Sequence, residues 1–219
     1  MNANAIATRE NPLATLARLA RPQAAVEQCE FCSLPLHPVH RHLLEVATLK
    51  IICACDPCAL RFENVVGRWK LIPREARALP DFQLTDAQWD SLALPINLAF
   101  FFHSTQSGKV VAMYPSPAGA TESLFPLATW NALAGENPFL AHLEPDAEAL
   151  LVNRLGAARD CYIAPIDLCF ELVGTIRLHW RGLSGGEKVW REIETFFTRL
   201  NAQTADSPAV ARERKGVHA

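Results

Sequence analysis
An α+β fold is predicted, with a small N-terminal four-cysteine zinc-ribbon or treble-clef module followed by a mixed, mainly antiparallel sheet flanked by helices. Three observations predict it. Two CxxC pairs, "CEFC" at 29–32 and "CDPC" at 55–58, lie close together in the first third of the chain. Apolar, aromatic runs such as "INLAFFFHS" and "KVVAMYP" are separated by short polar turns in the middle. Two long stretches near the C-terminus repeat apolar residues at helical spacing. They divide the 219 residues into an N-terminal helix and connector (1–26), a cysteine module (27–72), an α+β domain (73–200) and a flexible polar tail (201–219).

Each element has a local cause. In "NPLATLARLA", Asn11 is an N-cap, Pro12 takes the first helical position, and Leu13, Leu16, Ala17 and Ala20 share one face. The cysteine pairs enclose a hairpin whose second strand is "LKIIC"; Asp56 and Pro57 then open a short helix, "PCALRF". "RWKLIPREARALPDFQL" is a proline-punctuated linker. Thr85 and Gln88 form a capping box, Leu84 staples onto Trp89, and a helix starts at Asp86. The runs "INLAFFFHS" and "KVVAMYP" flank "TQSG" and form an antiparallel pair. "PLATWNALAG" is a helix ending at Gly135, and "EALLVNR" and "CYIAP" are two further strands. Ile166, Cys169, Phe170, Val173, Ile176 and Trp180 mark one amphipathic helix; Val189, Ile193, Phe196 and Leu200 mark another, opened by a capping box of Ser184 and Glu187.

The cysteines carry the strongest chemical signal. Cys29 and Cys32, and Cys55 and Cys58, are each separated by two residues, with 22 residues between the pairs. Each pair wraps one side of a tetrahedral ion, and the hairpin between them closes the site. Zinc is the ion this spacing favours; iron and an iron–sulfur cluster also accept four thiolates. Cys53, on the strand leading to the second pair, is a possible extra ligand and is read as a neighbour of the site, because four thiolates already complete the tetrahedron. His37, His40 and His42 in "HPVHRH" read as solvated or hydrogen-bonding side chains, with His40 and His42 alternating onto one strand face as the pair to test.

Composition narrows the function further. The net charge is −2, split as +2 over residues 1–72 and −4 over the rest, which suits neither a nucleic-acid nor a membrane surface. "MNANAIATRE" lacks a basic segment followed by an apolar run, and no stretch reaches the ~18 uncharged apolar residues of a membrane span, so a cytoplasmic location is expected. "LSGGEKVW" is similar to the signature of ATP-binding cassette proteins, but no phosphate loop accompanies it; "HSTQSGKV" lacks the first glycine and ends in Val110. No nucleophile elbow or HExxH pair is present, and no catalytic residues are assigned. Asp167, Glu171 and His179 read as a solvated helix face. "YPSPAGATES" reads as a small-residue loop with spare amides in which Ser116, Gly119, Thr121, Glu122 and Ser123 could meet a partner or an anion.

"CEFC", "HRHL", "CACDPCAL", "YPSPAGATES", "EALLVNR", "PIDLCFELVG" and "LSGGEKVW", in that order, resemble an uncharacterised bacterial family, a domain of unknown function, whose genes accompany actinobacterial-type uptake nickel-iron hydrogenases. The resemblance spans residues 27–200. It implies a cytoplasmic accessory protein that assists assembly or operation of the hydrogenase, with a hydrogenase subunit or maturation protein as partner. An iron–sulfur or rubredoxin-like electron carrier is the alternative, and a small-ligand binder or enzyme acting at the "SPAGATES" loop is a third.

Overall fold
In the computed structural model, residues 26–63, 65, 67–124 and 126–205 are described; the predicted helix at 11–20 and the tail beyond 205 lie outside them. The first sheet grows from the predicted hairpin. Strands β1 (Arg41–Glu45) and β2 (Lys50–Ala54) pair antiparallel, with Glu45 opposite Lys50 and His42 opposite Cys53. Helix α1 (Asp56–Phe62) follows, and β3 (Trp69–Leu71) then pairs with the free edge of β1, giving the order β2-β1-β3.

The chain crosses to a second sheet through β4 (Arg77–Ala78) and α2 (Asp86–Ser91). The stretch predicted as a linker therefore supplies an edge strand to each sheet, and only residues 72–76 separate the two. Its prolines, Pro73 and Pro80, fall outside both strands, where a missing N–H costs no ladder bond. The capping box forms as predicted, with the Gln88 amide donating to Thr85 Oγ1 and the Thr85 amide to Gln88 Oε1.

The remaining strands are β5 (Leu98–Ser104), β6 (Lys109–Ser116), β7 (Gly119–Ser123), β8 (Glu148–Asn153) and β9 (Asp160–Pro165). Helix α3 (Leu127–Glu136) and a 3-10 turn (Pro138–His142) lie between β7 and β8; α4 (Ile166–His179) and α5 (Gly186–Thr204) close the fold. The six-stranded order is β4-β9-β8-β5-β6-β7. The α+β class stands, and every pairing between the named strands is antiparallel, which narrows the expected mixed sheet.

Strand alternation sends the aromatic run to two cores. Phe100 and Phe102 face α4 and α5, with Ile166, Cys169, Ile176, Val189, Ile193 and Leu200; Phe101 faces the other way, toward Trp89, Trp130 and Leu133. The small sheet alternates too. Leu43, Ile52 and Ala54 point to the cysteine side, whereas Leu44 and Ile72 are buried in the same cluster as α4 and α5. One face of the small sheet is thus a wall of the large core.

Three boundaries differ from the sequence expectation. Helix α3 runs one residue past Gly135 because that glycine keeps a helical conformation; Asn137 then accepts from the Gln83 amide and donates to the Gln83 and Leu133 carbonyls. Helix α5 continues through Thr204 instead of stopping at 200, since Asn201 accepts from the Tyr162 hydroxyl and Thr204 is buried. The Ser184–Glu187 capping box does not form. Gly185 and Gly186 take φ of 84° and 75°, and a Cβ on Gly185 would lie 2.8 Å from Val189 Cγ1, so tight glycine packing starts this helix in place of a side-chain cap.

Candidate metal centre
"CEFC" folds into a knuckle because Ser33 adopts φ 61° and its amide donates back to the Cys29 carbonyl at 2.7 Å. The Cys29 amide donates to the Leu34 carbonyl, and the Glu30 amide to the Cys53 carbonyl, so the knuckle is stitched to the end of β2. The second pair enters from that same strand. Cys55 is the N-cap of α1, one residue earlier than the predicted Asp56, which with Pro57 occupies the first turn. Phe31 stacks on Phe62 of α1 at 4.2 Å between centroids and meets Trp69 of β3 edge-on at 5.4 Å. Aromatic packing thus fixes the knuckle against both the helix and the sheet.

These supports bring Cys29, Cys32, Cys55 and Cys58 together, with one sulfur from each lying within 4.8 Å of all the others. Cys32 Sγ and Cys55 Sγ are 3.7 Å apart. That is far beyond a disulfide bond and matches the edge of about 3.8 Å that ~2.3 Å metal–sulfur bonds subtend in a tetrahedron. All seven cysteines are free thiols. The tetra-cysteine group can hold a metal ion.

Electrostatics make the same demand. Burial raises the Cys29 thiol, but the backbone amides of Cys55, Phe31 and Cys32 outweigh it and bring the thiol down to about 6. Cys58 is pushed up to about 12, first by burial and then by its hydrogen bonds to the three other thiols and the Cys29 charge. Cys32 is raised as well: the Leu34 amide favours its thiolate, but burial and the neighbouring thiols prevail. Cys29 therefore ionises readily while Cys32 and Cys58 resist. A dication at the centre removes that conflict, because it neutralises the charge that each added thiolate would otherwise meet.

Cys53 does not join this set. It groups with His40 and His42; on β2 it alternates with Ile52 and Ala54, although it still touches the edge of the apolar cluster that they form. Of the helix face expected to be solvated, Glu171 is exposed as expected, whereas Asp167 is partly buried. Asp167 Oδ2 lies 2.6 Å from His42 Nδ1, and Glu171 pairs with Arg199. The other two cysteines, Cys161 and Cys169, are buried thiols; burial pushes Cys161 up to about 12 and raises Cys169 as well.

The stretch at 114–123 is not an open loop. Ser116 pairs with Gly119, Tyr114 with Thr121, Met113 with Glu122 and Ala112 with Ser123, leaving only Pro117 and Ala118 as the turn. Ser116 Oγ donates to the Gly119 carbonyl and accepts from the Ala118 amide. The amides that looked spare are largely engaged in the hairpin, whose β7 strand is an edge of the six-stranded sheet.

Among the described residues no helix is long and apolar enough to cross a membrane. No curated protein and no solved structure matches the chain. Comparison with protein families matches residues 28–204, a span that begins just before Cys29 and ends with α5. The knuckle, both sheets and all the packed helices are inside that span, and the chain accordingly belongs to DUF5947, a family of unknown function.

Proposed function
We propose that the protein is a zinc-binding accessory protein that assists the assembly or operation of a nickel-iron hydrogenase through protein contact in the cytoplasm. The observation that carries the zinc reading is the closed set of four thiols, with one sulfur–sulfur separation at a tetrahedral edge. A metal held by four protein ligands has no position left for substrate, so the ion's role is to hold the module rigid. The hydrogenase partner rests on the order of sequence motifs from "CEFC" to "LSGGEKVW". Contact is supported by Leu34 and Leu60, each two residues beyond a thiol of the cluster and 57% and 59% exposed. Apolar side chains standing out from a rigid scaffold are suited to docking.

The same thiols accept iron, and amide donors to the Cys29 sulfur are a feature that also tunes iron–thiolate centres, which supports electron transfer as the second reading. Anaerobic purification followed by elemental analysis separates them. One zinc per chain without visible absorption is the expected outcome; stoichiometric iron with a visible thiolate spectrum would replace the first reading by the second. The partner is tested by capturing a tagged chain from a strain expressing the hydrogenase, alongside a Leu34→Asp/Leu60→Asp variant. Hydrogenase subunits should be recovered with the first and lost with the second. Equal recovery with both, or none with either, would overturn the contact reading.

A further inference from the structure
We propose that His40, His42 and Cys53 form a second metal site, separate from the four-thiol centre, that takes a first-row divalent cation with an open coordination position. One ligand atom from each of the three lies within 4.8 Å of the others. Their convergence follows from strand register. His42 on β1 is the Cα partner of Cys53 on β2, and His40, two residues before His42, projects to the same face. The rings of His40 and His42 meet edge-on with centroids 4.8 Å apart.

The hydrogen bonds of the two rings determine which nitrogens are free. His40 Nδ1 is 2.9 Å from the His37 carbonyl oxygen, which can only accept, so Nδ1 carries the hydrogen. His42 Nδ1 is 2.6 Å from Asp167 Oδ2, a carboxylate that accepts in the same way. The two Nε2 atoms are left facing each other across 3.1 Å, close enough to share one proton in an N–H···N hydrogen bond. A metal ion can take the place of that proton and accept a lone pair from each ring. Around a tetrahedral ion with ~2.0–2.1 Å bonds, two imidazole nitrogens stand about 3.3 Å apart, so an ion enters with a shift of a few tenths of an ångström.

The supporting shell is of the kind that metal histidines use. Asp167 orients His42 from α4, and its other oxygen is held by the Leu168 amide at 2.8 Å, so a carboxylate–histidine–metal relay is already assembled. Two imidazoles and one thiolate select a borderline ion, such as zinc, cobalt(II) or nickel(II), over calcium or magnesium. Both histidines line a cavity of ≈ 380 Å³ that Arg74 and Glu171 also border, so the fourth position can be filled from solvent by water or a small anion. Three protein ligands and one exchangeable position distinguish this site from the closed tetra-cysteine centre.

The test uses the full chain carrying one equivalent of zinc, titrated with cobalt(II) chloride. Wild-type protein should take up one cobalt and develop the absorption of a thiolate-bound ion. Cys53→Ala should lose that thiolate band, and His42→Ala should weaken cobalt binding at least tenfold, while both keep the first zinc. Asp167→Asn, which touches no metal, should weaken cobalt binding by roughly 10- to 100-fold. Should the alanine variant at 53 lose native circular dichroism, Cys53→Ser, nearly isosteric, carries the same measurement. A wild type that binds no cobalt beyond its zinc, or a Cys53→Ala/His42→Ala double variant with an unchanged cobalt spectrum, would overturn the proposal.

Discussion

The two sheets are built from the same antiparallel hairpins but held in different ways. Among the described residues, the small sheet's cysteine side fully buries Cys29, Leu36, Leu43, Ile52, Ala54 and Ala59, with Phe31, Phe62, Trp69 and Leu71 partly buried against them. The six-stranded sheet buries whole aromatic side chains on both faces, Phe100 and Phe102 on one and Phe101 on the other. The strands also lean on the large core through Leu44 and Ile72, but the knuckle and α1 rest on this small cluster alone, which is too little apolar burial to order them. A bound ion would supply what the side chains lack. The comparison teaches that one chain can use two sources of order side by side, and that each should respond to a different perturbation.

The largest effect is expected from the metal. Chelation, or Cys58→Ser, should remove the ion and expose the amides of the knuckle at 29–34 and of α1 to hydrogen exchange, with a loss on the order of 10 kcal/mol for that region. The amides of β5, β8 and β9 should stay protected. Uniform exchange across both sheets would break the comparison. Cys53→Ala, by contrast, should leave the four-thiol ion in place, as elemental analysis of that centre's occupancy can check.

Phe101→Ala is the complementary perturbation. Phe101 is fully buried beside Trp130, with ring centroids 5.4 Å apart, and its truncation should cost about 3–5 kcal/mol in denaturant unfolding while metal content stays unchanged. A smaller step is Thr85→Ala, which removes the side-chain half of the capping box and should lower stability by about 1 kcal/mol with no effect on the ion. The smallest signal concerns protons. Metal binding displaces protons from thiols, so affinity falls as the pH drops. With Cys29 held near 6, that sulfur is already mostly ionised at pH 7.5, and binding there should release about three protons, against nearly four for ordinary thiols. Calorimetry in buffers of different ionisation enthalpy counts them; a release close to four would show that the amide donors do not lower Cys29 in the metal-free protein.

Much of this arrangement is legible in the chain. The CxxC pairs announce the thiol cluster because a metal site needs local, closely spaced ligands. The Thr85 capping box, the β5–β6 hairpin and the faces of α4 and α5 are likewise local, since each depends on residues within a turn or two. The His40–His42–Cys53 group was half visible. Pairing Glu45 with Lys50 across the turn places His42 opposite Cys53, but assigning Cys53 to the neighbouring thiols hid it. Asp167 was not legible at all, because its partner lies 125 residues away and nothing near "PIDLCF" signals it. Ser184 and Glu187 misled for a related reason. Their spacing fits a capping box, yet the packing of Gly185 against Trp180 and Val189 sets the helix start.

The crossing at residues 72–76 has a consequence for how such a protein can be taken apart. Five residues span at most about 18 Å when extended, and the first of them, Ile72, is itself buried with the helices of the large sheet. The cysteine region is therefore not a cassette that could be cut out and transplanted like an independent zinc finger. Lifted away, it would bare Leu44 and Ile72, and the remainder would be left with an uncovered flank on its core. Any exchange of this region with another chain has to carry the matching wall with it, so the ligand loops and the apolar face behind them move as one piece.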